Sequence, residues 1–291
     1  MRQAMHRLTD RAITTVALLG GILLLSACAS QVGIQDAASA DTAAPSDVAE
    51  CHASLSAAEF RDSPDLHELD TGNIRLLNWN AQKNKRLNWQ QELESLSSDM
   101  NLVLVQEASL RKDSINSIDS SRYWSFAPGY RSSGAVSGVL TMSSSKPIAQ
   151  CSFVSYEPLL RTPKATSVSK YRLTSTDATL LVVNLHAVNF SMGLGAFKRQ
   201  FDQVRRILEV HDGPIILSGD FNTWRRKRSK IVANIAQSLG LTALDFPDDN
   251  RVKKFGNYVD HIFVRGLLPV DSSTTVVDSS DHNPMSVTLR M

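Results

Sequence analysis

Cysteine is scarce in this 291-residue chain, which has three, and glycine and proline number only 14 and 10. No apolar run reaches the roughly 20 residues that a membrane-spanning helix needs; the longest, Ala12 to Ala27, has 16. No internal repeat recurs, no Gly/Ser-rich linker divides the chain beyond residue 71, and there is no polybasic tail. These absences exclude a solenoid, a string of linked domains and a bundle of membrane helices. What remains is an ordinary globular composition, 42% hydrophobic and 21% charged, enough for a sizeable core. The net charge of +2 hides a segregation. Residues 1–70 hold four basic and ten acidic residues, which leaves 27 basic and 19 acidic in 71–291, a net of +8 that favours anionic partners.

Arg2, His6, Arg7 and Arg11 precede the apolar run, the order of a secretory signal. The run closes on Leu25-Ser26-Ala27-Cys28, which resembles the lipobox of bacterial lipoproteins. That resemblance implies a signal peptide over 1–27 and a lipidated Cys28; a plain signal peptide and an uncleaved anchor are the alternatives. Residues 28–70 then read as a flexible tether, rich at first in Ala, Ser, Asp and Thr. Residues 71–291 read as one domain. The expected location is the bacterial cell envelope, lipid-anchored on its periplasmic or outer-membrane face, with no obligate protein partner. Cys51 and Cys151 remain as two thiols in an oxidising compartment, which points to a bridge between them; two buried free thiols are the alternative.

From Ile74 the chain alternates strand-like and helix-like periods. IRLLNWN and LVLVQE read as strands around a helix carrying Leu87, Leu93 and Leu96. A weak helical pattern covers 111–121. YWSFAP, SGVLTMSS, IAQCSFVSYE, ATSVSKYRLTS and ATLLVVNLH are strand-like. Phe197, Phe201, Val204 and Leu208 then mark an amphipathic helix, IILSG a strand, and Ser229 to Leu239 a second helix ended by Gly240. VDHIFVRG and PMSVTLR are the last strands. Many strands with few helices predict an α/β (α+β) sandwich of four layers, two mixed β-sheets flanked by helices.

Polar signatures end or interrupt these runs: Asn78-Trp79-Asn80, Gln106-Glu107, Asn184-Leu185-His186, Asp220-Phe221-Asn222, Asp260-His261 and Asp281-His282. Each alone also reads as a turn, a cap or a core histidine. Their joint order resembles the endonuclease/exonuclease/phosphatase (DNase I-like) family of metal-dependent phosphoesterases, and LVVNLHAVNF through SGDFNTW looks most like small bacterial members. The resemblance implies metal ligands Asn80, Glu107 and Asp281 for Mg²⁺ or Mn²⁺, and catalytic groups His186, Asp220, Asn222, Asp260 and His282. Asp220 would orient or deprotonate the attacking water, and Asp260 would fix the His282 imidazole. Which histidine serves as base stays open. His261, one residue on from Asp260, would face the other way and be structural.

Arg225, Arg226 and Arg228 follow the GDFN motif in a basic run, and Arg161 lies beside Pro163, with Lys164 on its other side; these are the candidate substrate contacts, against a solvated helix turn. Ala108 stands where DNase I-like nucleases have an arginine, which counts against duplex-DNA cleavage. The expected activity is hydrolysis of an anionic phosphate ester, by a phosphodiesterase or nuclease, with nucleic acid a candidate substrate. A phospholipid or small-phosphoester hydrolase, or a binding module that kept the fold, are the alternatives. Replacing Cys28→Ser is expected to release the protein from the membrane fraction; retention in that fraction would end the lipoprotein reading.

Overall fold

Alternating side chains give a strand two usable faces, and here both faces of two sheets are buried. The computed structural model describes residues 40–41, 47–57, 67–86, 88–111, 122–132, 134–191 and 193–291. Sheet one runs in the order β1 (Ala40–Asp41), β4 (Tyr123–Ser132), β5 (Ala135–Ser143), β3 (Leu102–Arg111), β2 (Ile74–Asn80), β15 (Met285–Arg290) and β14 (Leu268–Thr274). Sheet two runs β10 (Thr242–Ala243), β13 (Asp260–Arg265), β9 (Ile215–Asp220), β8 (Thr179–His186), β7 (Pro163–Arg172) and β6 (Ala149–Tyr156). Both are mixed: β2 and β3 are parallel, as are β8 and β9, within otherwise mostly antiparallel pairing. A hairpin of β11 (Lys253–Lys254) and β12 (Asn257–Tyr258) stands apart.

The pleat sorts side chains into layers. In β2, Ile74 and Leu76 face inward, packing with Val182, Ile216 and Ile262 of sheet two. Leu77 and Trp79 face the opposite side, where α2 (Trp89–Ser97) covers them with Leu93. On the far side of sheet two, Val183, Leu185, Leu217 and Phe263 pack under α1 (Val48–Ala57), α3 (Gly195–Leu208) and α4 (Arg226–Ser238). Phe197, Phe201, Val204 and Leu208 of α3 lie in that layer, as their spacing predicts. The four-layer sandwich is therefore the observed architecture.

Three differences from the sequence expectation have physical causes. Within the expected tether, Val48–Ala57 forms a helix and Leu69 joins the domain. Cys51 and Leu55 of α1 are buried against sheet two, Cys51 is disulfide-bonded to Cys151 of β6, and Lys170 donates to the Leu55 carbonyl at 3.0 Å. Leu69, also buried, bridges to Leu173. A ten-residue helix with two buried apolar residues is invisible to composition because a covalent link and sheet contacts hold it. α4 starts at Arg226, three residues before the predicted Ser229. β14 gives no strand signal in the sequence because it is an edge strand, mostly exposed, with Pro269 beside a bulge. Cys28, the signal peptide, Leu87 and residues 112–121 of the expected helix lie outside the described residues.

Residues 34–291 form one compact unit. The Cys51–Cys151 bond closes a loop spanning a sequence separation of 100. Disulfides typically stabilise a fold by about 2–4 kcal/mol, and the chain-entropy value for a loop of that size is about 4.7 kcal/mol, so the amount expected here is about 2–5 kcal/mol. Cys151→Ser, or reduction of the wild type, is expected to lower stability by that amount in urea unfolding, while the far-UV circular dichroism of the native state stays the same.

Candidate active site

Strand register assembles the site. The parallel pairing of β8 with β9 puts His186 beside Asp220, and the antiparallel pairing of β9 with β13 puts Asp260 on the other side of Asp220. In sheet one, the parallel pairing of β2 with β3 puts Asn80 beside Gln106. β15 runs antiparallel to β2 with Met285 opposite Asn78, so Ser280 to Pro284 lie past the same end. The two sheets meet there directly: Asn80 Nδ2 donates to Asp220 Oδ2 at 3.0 Å.

Beneath that contact lies a buried polar seam that sequence reasoning left without a role. Gln106 Nε2 donates to Asn78 Oδ1 at 2.9 Å and to Asn184 Oδ1 at 2.7 Å, and Ser218 Oγ donates to Asn78 Oδ1 at 2.9 Å. A signal for it was present. Asn78, Asn184 and Ser218 each stand two residues before Asn80, His186 and Asp220, so each shares a strand face with a site residue.

Glu107 breaks that rule. Alternation would turn it to the outer face, with Val105, away from Gln106. Instead the β3–β5 register shifts between Val105 and Ala108, and Glu107 takes a left-handed φ of 51°. The bulge re-aims the carboxylate so that Oε1 lies 3.6 Å from His186 Nε2. The GDFN motif is also strained in a specific way. A Cβ at Gly219 would sit 1.9 Å from the Leu185 carbonyl oxygen, so only glycine fits. Asn222 is left-handed as well, at φ 50°; its N–H donates to Asp220 Oδ1 at 2.9 Å and its Nδ2 to the Ala187 carbonyl at 3.0 Å.

The histidines are tuned in opposite directions. Burial alone would lower His282, but the Asp260 charge and hydrogen bond, with help from Asp220 and Asp281, raise it to about 10. Nδ1–H donates to Asp260 Oδ2 at 2.7 Å. The backbone is fixed too: Trp79 Nε1 donates to the His282 carbonyl, and the His282 N–H donates to Ser280 Oγ. His186 is pushed well below its usual value by burial and then by the charges of Lys164, His282 and Lys83. Its Nε2 accepts from Lys164 Nζ at 2.9 Å and lies 3.7 Å from Asp220 Oδ2. Asp220 is raised to about 6, chiefly by burial, with His282 opposing and Asp260 adding to the shift. A carboxylate near 6 is a serviceable proton acceptor at neutral pH.

Asn80, Glu107, His186, Asp220, Asn222, Asp260 and His282 therefore converge. Asp281 is exposed, acting on His282 as a nearby charge. Ligand atoms of Asp220, Asp260 and His282 all lie within 4.8 Å of one another, and the buried Asp260 Oδ1 has no hydrogen-bond partner among the described residues. With Glu107 alongside, the Asp220 and Asp260 carboxylates make this end of the sheets an oxygen-rich pocket that fits a hard divalent cation, while protonated His282, bonded to Asp260, offers it no lone pair.

The basic residues separate. Arg225 is exposed, its guanidinium 4.3 Å over Trp224, and Arg226 and Arg161 are exposed as well. Arg228 is corrected from substrate contact to buttress. It is buried, and its guanidinium donates to the carbonyls of Val188, Asn189 and Asn222 and to Ser191 Oγ. Those carbonyls, left by two turns with no strand partners, are what draw the cation in. Lys164 is the residue that lies at the site instead. His261 faces away, bonded to Thr223 Oγ1 at 2.7 Å and packed on Phe221; burial, then Arg251, lowers it to about 4.

A four-layer sandwich that gathers carboxylates, amides and histidines at one end of both sheets defines the class of phosphoester hydrolases. Residues 77–282 match the family model described as Endonuclease/Exonuclease/phosphatase family, and the chain belongs to that family. It is 36% identical over 235 residues to a UPF0294 protein of Vibrio campbellii (strain ATCC BAA-1116), covering 80% of this chain and 82% of that one. In fold it is similar to an endonuclease/exonuclease/phosphatase family protein from Leptotrichia buccalis, with a TM-score of 0.56, 16% identity and coverage of 75% and 100% of the two chains. The human nocturnin catalytic domain, solved with a bound sulfate anion, gives a TM-score of 0.56 at 16% identity, over 77% of this chain and 96% of that one.

The opposed histidine shifts have a direct readout. In NMR titration of the metal-free protein, His282 is expected to stay protonated through about pH 8, and His261 to stay neutral down to about pH 5. Asp260→Asn removes the charge that outweighs burial, so the His282 titration is expected to move to lower pH by more than about one unit.

Proposed function

We propose that the protein is a divalent-metal-dependent phosphodiesterase held outside the cytoplasm. The observation that carries this reading is Asp220, set by strand register between His186 and the Asp260–His282 pair, with Glu107 turned toward His186 by a bulge. Glu107 and Asn80, with Asp281 at the rim, are the residues that would hold Mg²⁺ or Mn²⁺. Such an ion supplies positive charge against the negative charge that develops on the phosphoryl oxygens.

The remaining roles belong to the chain itself. Asp220 accepts the proton of the attacking water. Asn222, with Nδ2 tied to the Ala187 carbonyl, presents Oδ1 to orient that water. His282, kept cationic by Asp260, donates to a phosphoryl oxygen. His186, neutral and bonded by Lys164, borders the other side of Asp220. The Cys51–Cys151 bond supports an oxidising compartment, and the leader and Cys28 support lipid anchorage. Nucleic acid is a weaker substrate reading than the +8 charge suggests, because Arg228 is spent inside the fold.

The 34–291 unit with Mg²⁺ or Mn²⁺ is expected to hydrolyse a bis-aryl phosphodiester and to lose activity in EDTA. His282→Ala and Glu107→Ala are expected to lower kcat by about 10²–10⁴-fold with unchanged circular dichroism. No metal-dependent turnover of that ester, DNA, RNA or sphingomyelin would instead make the protein a binding module.

A further inference from the structure

The four segments that leave sheet two at the active-site end form a collar of unusual composition. β7 runs antiparallel to β8, so the β6–β7 turn emerges beside His186; the loop after β8 emerges there too. β13 runs antiparallel to β9, so the β11–β12 hairpin emerges beside Asp220 and the start of α4. Tyr156, Leu159, Leu160, Phe190 and Phe255 on these segments are each more than half exposed. Phe255 is 87% exposed and Leu159 71%.

Their exposure is built in rather than left over. Phe255 and Gly256, at φ 50° and 78°, form the tip joining β11 and β12. That left-handed position suits Asn or Gly, and a bulky aromatic side chain there is strained. The chain accepts that strain and still points the ring at solvent. Leu159 and Leu160 stand on a turn closed by the Glu157 N–H to Thr162 carbonyl bond. Glu157 itself is buried, and its Oε1 accepts from the N–H groups of Asn189 and Phe190, tying the turn to the next loop. Trp224 Nε1 donates to Asn189 Oδ1, and the Trp224 ring packs on Phe255 at 5.8 Å. The collar is thus one connected surface.

Its charge has one sign. Arg161, Arg225, Arg226, Lys227, Lys253 and Lys254 are exposed, and Glu157, buried, is the sole acidic residue in 156–164, 187–191, 223–228 and 251–258. On these four segments large apolar side chains are ringed by cations, and they match an interface that is apolar inside and anionic at its surface. A nucleic-acid groove accounts for the cations but leaves Leu159, Leu160 and Phe255 in water.

We propose that this collar docks the active-site mouth on the surface of an anionic phospholipid bilayer. Resting on the phosphodiesterase reading, this deepens it: the substrate is a phosphodiester presented at a lipid surface. The docking itself is independent of catalysis and is tested separately.

The test is cosedimentation of the 34–291 unit, which lacks the leader and Cys28, with vesicles of phosphatidylcholine alone and of equal parts phosphatidylcholine and phosphatidylglycerol. Binding is expected to the anionic vesicles and to weaken with salt. Leu159→Ser, Leu160→Ser and Phe255→Asn together are expected to weaken it about tenfold or more, while hydrolysis of the soluble bis-aryl phosphodiester is unchanged. Wild-type failure to bind, or full binding by the triple variant, would overturn the proposal. So would a shift to nucleic acid in gel retardation without vesicle binding, or a dimer abolished by the triple variant. Vesicle binding without any metal-dependent turnover would retain the docking surface and remove the phosphodiesterase.

Discussion

Everything at the site hangs on the hydrogen-bonded seam between the two sheets. A face-to-face sheet contact is ordinarily apolar and tolerates sliding, whereas here Asn78, Gln106, Asn184 and Ser218 meet inside it. Buried amides are expensive to leave unpaired, so a slip of either sheet by one residue would break several bonds at once. The seam therefore fixes how far sheet one sits along sheet two. The Asn80–Asp220 bond at its open end is the same constraint carried into the chemistry.

Electrostatics at that end is a balance of a few groups. Glu107, Asp220 and Asp260 bring carboxylates together, and Lys164 and protonated His282 stand against them. Burial works on both neighbours at the centre, raising Asp220 and lowering His186. Only at His282 does a paired carboxylate overcome burial outright. The two histidines thus differ in their hydrogen-bond partners: His282 bonds a carboxylate, whereas His186, with two carboxylates 3.6–3.7 Å away, bonds an ammonium.

The strands and the amphipathic helix over Phe197 to Leu208 were legible because period and burial coincide in them. So was the convergence of the candidate residues, since Asn80, His186 and Asp220 close strands, Asp260 opens one, and Asn222 and His282 lie just beyond strands whose apolar runs are plain. The bulge at Glu107 was not legible; nothing in LVLVQEAS says that alternation fails after Gln106. Arg228 was misread as a substrate contact because a cation in a basic run looks free for a partner until the carbonyls of two loops are placed around it. Helix α1 was hidden for a related reason, being held by a bond to a residue far along the chain. In each case a long-range partner decides, and local pattern carries no record of it.

The position of β15 has a consequence for how the site comes into being. It follows every other strand in the chain, yet it lies within sheet one, between β2 and β14. Sheet one cannot be completed until β15 joins β2, some 200 residues behind it, and pairings of such high contact order form slowly. His282 arrives with that strand. During synthesis the nascent chain can collect Asp220, His186 and Glu107 early, but it gains the His282 imidazole last, so completion of the candidate site coincides with closure of the fold.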